Sequence, residues 1–124
     1  MAAPNIVNVA TITGKSAVVD LTTTNATAVV SNAASSSKVF KVNSLTVANV
    51  DGAVAADITV SYYSQDDIGG TATEIVKTVS VPQDSTLVVI DKNTSLYLEE
   101  DRSLGAQASA ANDLKVFVSY EEIS

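Results

Sequence analysis

The chain has 124 residues, 46% of them hydrophobic, with no Cys, His or Trp and a net charge of −7. A chain of that length forms one domain and buries roughly two-thirds of its unfolded surface without help from a metal or a disulfide. The missing residue types exclude Ser-His-Asp and Cys-His catalysis and structural zinc, while the acidity repels nucleic acid and anionic membrane surfaces.

The apolar content is mostly Val and Ala with some Ile and Leu, and Thr is abundant. Branched Cβ atoms pack well on a pleated surface, so this composition favours strands. Alternation of apolar and polar residues recurs along most of the chain. Residues 5–13 (NIVNVATIT) read as a first strand, punctuated by Gly14-Lys15. Residues 16–21 (SAVVDL) follow, with Ala17, Val19 and Leu21 on one face, and residues 25–31 (NATAVVS) are a third candidate. Residues 32–37 (NAASSS) form a loop of small side chains.

Residues 38–50 (KVFKVNSLTVANV) make the longest candidate. Phe40 and Val42 share one phase, Leu45 and Val47 the other. Either a β-bulge at Asn43-Ser44 resets the alternation, or the strand is buried on both faces. Asp51-Gly52 is a turn signal, with Gly free to take positive φ. Residues 57–64 (DITVSYYS) place Ile58, Val60 and Tyr62 on one side and Thr59, Ser61 and Tyr63 on the other. Residues 65–71 (QDDIGGT) look like a flexible loop, and residues 73–81 (TEIVKTVSV) return as a strand with Ile75, Val79 and Val81 inward. Pro82 has no N–H and ends the pairing.

Residues 86–90 (TLVVI) cross the sheet, Asp91-Lys92-Asn93 turns, and Leu96 and Leu98 anchor a short strand. Glu99, Glu100 and Asp101 form an acidic corner. Leu104, Ala106, Ala108 and Ala110 alternate with smaller or polar residues, which favours a strand over a short Ala-rich helix. Ala111-Asn112-Asp113 turns the chain into a last strand carrying Leu114, Val116, Val118 and Tyr120. About eight strands with turns between them imply an all-β, antiparallel β-sandwich, jelly-roll-like, with Greek-key connections. The expectation is a single domain over residues 1–124, with short terminal arms at about 1–8 and 120–124.

No phosphate loop is present, because Gly69-Gly70 is not followed by Lys-Ser or Lys-Thr. Carboxylates are adjacent at Asp66-Asp67 and at Glu99 to Asp101. Such clusters suit a hard cation, but no EF-hand spacing exists and acidic loops facing water explain them as well. A glycosidase pair would want an aromatic platform, for which only Tyr62, Tyr63 and Tyr97 are at hand. The expectation is therefore no enzyme, no cofactor and no metal. Tyr is enriched at interfaces, so Tyr63, Tyr97 and Tyr120 are candidate interface residues, and Ile123 in the tail is a candidate hook onto a neighbour. The N-terminus lacks a basic segment followed by an apolar run, so no signal peptide is expected, and no apolar stretch approaches a membrane span.

Four stretches carry a resemblance: PNIVNVATITGKSAVVDLTTT, KVNSLTVANVDGAVAADITVSYYS, VSVPQDSTLVVIDKNTSLYLEEDRSL and DLKVFVSYEEIS. Together they cover nearly the whole chain and are similar to small β-rich virion structural proteins of tailed bacteriophages, particularly those of marine cyanobacteria. That group usually has Gly before Asp in the turn matching Glu99 to Ser103, where this chain has Glu100. The resemblance implies a virion protein made in the host bacterial cytoplasm, and no functional residue transfers individually. The reading that follows is a capsid decoration or cement protein, a homo-oligomer expected as a trimer, whose partner is the major capsid protein or another virion protein. The alternatives are a neck, tail or fibre-attachment component, and a carbohydrate-binding module with exposed aromatics around residues 65–71.

Overall fold

The alternating apolar positions fold into two antiparallel sheets packed face to face. The computed structural model describes residues 7–124. In chain order the elements are β1 (Ile12–Asp20), β2 (Thr27–Asn32), β3 (Val39–Asn49), β4 (Ala56–Gln65), β5 (Gly69–Val81), β6 (Thr86–Ile90), a 3-10 turn (Lys92–Thr94), β7 (Leu96–Leu98), β8 (Arg102–Ala108) and β9 (Leu114–Ile123). The first sheet runs β1-β9-β3-β6, with β7 also on β3, and the second runs β2-β8-β4-β5. Strands β6 and β7 lie end to end on the same edge of β3, so they act as one strand broken by the 3-10 turn. With that pair counted once there are eight strands, against about eight expected, in jelly-roll order, two interlocked Greek keys.

The inner faces meet in a core of medium-sized aliphatics. Leu45, Val47, Val116 and Val118 from the first sheet and Ile58, Val60, Val81 and Leu104 from the second are fully buried. Each such side chain contributes about 1.5–3 kcal/mol relative to exposure. Two buried asparagines serve the strand ends. Asn49 donates from Nδ2 to the Val54 and Val81 carbonyls at 3.0 and 2.9 Å, and Asn32 donates to those of Lys38 and Leu98 at 2.9 and 3.0 Å. These carbonyls sit where the ladders stop, so the amides replace partners that no strand supplies.

Several expectations are met in detail. The β3 ladder shifts register between Val42 and Ser44 against β9, which is the bulge, the first of the two readings of the phase slip. Leu104, Ala106 and Ala108 are buried on β8, a strand and not a helix.

Others are corrected. The strand expected over residues 5–13 begins at Ile12, and residues 5 and 6 lie outside the described residues. Gly14-Lys15 does not end it, because β9 supplies partners without a break from Ile12 to Asp20. Ile75 is 38% exposed, and Val76 packs inward in its place. The β4–β5 register shifts between Val79 and Val76, and Thr78 takes φ 47°, so an irregularity reverses the phase that strict alternation assumed. Gly52 does not use positive φ; its turn is held by Asn49 Oδ1 accepting from Asp51 N and Asp51 Oδ1 accepting from Ala53 N.

Candidate assembly surface

Directly paired residues in a sheet share a face, so the register fixes what each outer face presents. On the first sheet, Val18 pairs with Phe117, Phe117 with Thr46, and Thr46 with Val88. This row crosses β1, β9, β3 and β6 on the face opposite the core. Its three apolar members stand well out of the protein: Val18 is 62% exposed, Phe117 46% and Val88 56%. Isolated exposed apolar side chains are common, but three on one register row, with Thr46 between Phe117 and Val88, make this face a candidate contact surface.

Charge and hydrogen-bonding groups frame the row. On one side Asp20, Lys115, Ala48 and Thr86 line up, with Lys115 Nζ 3.7 Å from Asp20 Oδ1. On the other lie Ser16, Ser119 and Ser44, then Gly14, Glu121, Lys41 and Tyr97. Asn43 Nδ2 donates to Glu121 Oε2 at 3.3 Å. An apolar centre within a polar margin is the usual anatomy of a protein–protein contact.

The four residues singled out from the sequence fall in different places. Tyr97 is exposed and shares this outer face with the apolar row. Tyr63 lies on the second sheet's outer face, where a Cβ on Gly105 would come within 2.8 Å of its Cε1. Tyr120 is half-buried, its ring 5.5 Å from that of Phe40. Ile123 is 6% exposed and pairs within this chain with Ile12 and Val39. Residues 120–123, read as part of an arm, are thus the last residues of β9.

Phe117, Val18 and Val88 were not singled out. Their signal is in the sequence nonetheless. Each is the apolar residue at a polar phase, in VFV, AVV and LVV, where strict alternation calls for a polar side chain.

Where β9 ends, Glu122 accepts from Lys15 Nζ and Lys38 Nζ, both at 3.1 Å. Burial opposes its charge, yet the two hydrogen bonds together prevail and hold its carboxyl below the usual range. The same hydrogen bond raises Lys15 above the usual lysine range.

Among the described residues no three carboxylate-type ligands converge on a metal position, and no helix is long and apolar enough to cross a membrane. A shallow groove of about 280 Å³ on the second sheet is lined by polar residues such as Asp57, Thr59, Glu74, Lys77 and Gln107, with no aromatic ring. The segment 65–71 is held down at several points: Asp66 N donates to Asp101 Oδ1, Asp67 N to Ser31 Oγ and Ile68 N to Ser103 Oγ, at 3.0, 2.8 and 2.9 Å. The segment expected to be loose is thus tied to Ser31 of β2, Ser103 of β8 and Asp101 in the turn before β8.

No family model matches the chain, and no curated protein matches it. Solved structures do. A chain of the Bacillus endospore appendages, described as a novel family of disulfide-linked pili, aligns with TM-score 0.53 and 18% identity over 92% of this chain and 88% of that one. A chain of the acidic stable capsid of Helicobacter pylori bacteriophage KHP30 aligns with TM-score 0.51 and 10% identity over 94% and 90%. These likenesses establish a common sandwich fold, shared with components of a pilus and of a phage capsid.

Proposed function

We propose that this chain is a bacteriophage virion structural protein, a decoration protein that binds the outer surface of the capsid as a homo-oligomer and stabilises the shell. The observation that carries the reading is the exposed row Val18, Phe117 and Val88 on a sheet face with a polar margin. The resemblance of the sequence to phage virion proteins and the fold shared with a capsid chain support the same reading.

The row seats against the major capsid protein, and Tyr97 extends the contact on the same face. A trimer is the closed ring that a local threefold on a capsid lattice selects. Synthesis takes place in the cytoplasm of the infected bacterium, and the final location is the virion. Stabilisation follows from mass action, since a ligand that binds only the assembled shell lowers its free energy, by about 2.7 kcal/mol per site at about 100 times its Kd.

Quantitative mass spectrometry of purified particles tests this. Copies on the scale of the major capsid protein are expected. A handful per particle, enriched in tail fractions, would replace the capsid location by the neck, tail or fibre-attachment one. Glycan recognition has less in its favour, because the ring of Tyr63, which with Ile68 crowds the space above Gly105, lies over that glycine.

A further inference from the structure

A β-sandwich has open strand edges, and each is a template for another chain unless something blunts it. The described sheets end at β1, β6/β7, β2 and β5. Three of these are blunted. Strand β5 shifts register against β4 at three places and carries Thr78 at φ 47°. Strand β2 is six residues long and shifts between Ala28 and Val30. The β6/β7 edge is broken by the 3-10 turn and shifts register beside Leu45. Strand β1 differs: its nine residues pair with β9 from Ile12 to Asp20 without a shift, with neither Pro nor a bulge. Seven of the nine are exposed.

We propose that β1 is a docking edge for a second copy of this chain, pairing antiparallel with that copy's β1 about a two-fold axis through Ser16. A regular strand adds along its full length to another regular strand, and among the described edges the one that matches β1 is β1 itself. Full overlap of Ile12–Asp20 with the core sides of both sheets facing the same way puts Ser16 opposite Ser16. Lys15 then lies across from Ala17, and Asp20 across from Ile12, so no like charges stand directly opposite; the two Lys15 side chains are diagonal neighbours, and each is already paired with Glu122 of its own copy. Val18 comes to lie across from Gly14 of the second copy, where nothing stands within 4 Å of the missing Cβ and an exposed Val has room. Lys15 and Asp20 also leave the edge neutral in a chain of net charge −7, so the contact brings copies together where their mutual repulsion is least.

The result is one continuous sheet across two copies, which joins their apolar outer rows into a longer face. On a shell such a contact links copies in neighbouring trimers. The pairing goes beyond the capsid-binding reading and stands whether or not that face binds a capsid.

The chain has no Cys, so a single introduced thiol reports the contact. Purified full-length Ser16→Cys, oxidised in solution, should give at least tenfold more covalent dimer than Thr73→Cys on the exposed strand β5. Equal yields, or no dimer from Ser16→Cys, would overturn the proposal. Ser16→Lys places two ammonium groups on the axis. It should lower the association state in sedimentation velocity while leaving the thermal midpoint unchanged at concentrations too dilute for pairing, and unaltered sedimentation would count against the pairing. All of these readouts are taken without capsids, so failure here and failure of the decoration reading are separable.

Discussion

Glu122 sits near the end of β9 and is held by two lysines from other segments, Lys15 of β1 and Lys38 just before β3. Its carboxyl side chain is 13% exposed while the lysines are 47% and 44% exposed, so solvent screens the pairs on one side. The folded carboxyl titrates below its unfolded counterpart, whose ordinary value is about 4.3. Its contribution is therefore complete above that unfolded value and is lost as pH falls through the lower folded one. Glu122→Gln is expected to cost about 1 kcal/mol at neutral pH and to flatten the acid side of the stability curve. Urea midpoints measured from neutral pH downward check it; an acid limb identical to wild type would remove Glu122 from the account. None of this trio was legible in the sequence. Positions 15, 38 and 122 meet only because β1 and β3 flank β9.

At the scale of elements, β8 is a strand whose partners demand a small residue. A Cβ on Gly105 would stand 2.7 Å from Ile68 Cγ2, 2.8 Å from Tyr63 Cε1 and 3.3 Å from the Thr27 carbonyl. The β4–β5 turn folds back over β8 at this point, with Ser103 Oγ accepting from Ile68 N and donating to the Gln65 carbonyl at 2.8 Å. Gly105→Ala should then destabilise the fold by about 1–3 kcal/mol through overpacking, measured as a lower denaturant midpoint at unchanged slope. The alternation of Leu104, Ala106 and Ala108 was enough to identify the strand, because their inward side chains obey the period of two. That Gly105 lies beneath a hairpin was not legible, since the hairpin comes from a segment some 40 positions earlier in the chain. The β3 bulge shows the opposite case: one extra residue moves the apolar phase, and the phase is written in the sequence.

For the molecule as a whole, fold stability and surface function separate by face. Phe117 and Val88 are about half exposed on the side away from the core, whereas Val116 and Val118 beside Phe117 are fully buried. Replacing Phe117 and Val88 by Thr keeps strand propensity, so stability should change by less than about 1 kcal/mol per site. The same double variant should bind shells that lack the protein at least tenfold more weakly, about 1.4 kcal/mol. Sedimentation of wild type and variant with such shells measures this. Undiminished binding would move the capsid contact to another face.

By itself the sequence determined the all-β class, the inward residues of most strands and the poverty of reactive groups. Those follow from local rules, namely a side-chain period of two, branched Cβ atoms, turn residues and the absence of His and Cys. Only the tertiary structure decided the strand order, the alignment of Val18, Phe117 and Val88 into one row, and the contrast between the regular edge at β1 and the irregular edges elsewhere. These depend on which strands lie side by side and in what register. That choice is made by packing two apolar faces together across the whole chain, and no window of neighbouring residues contains it.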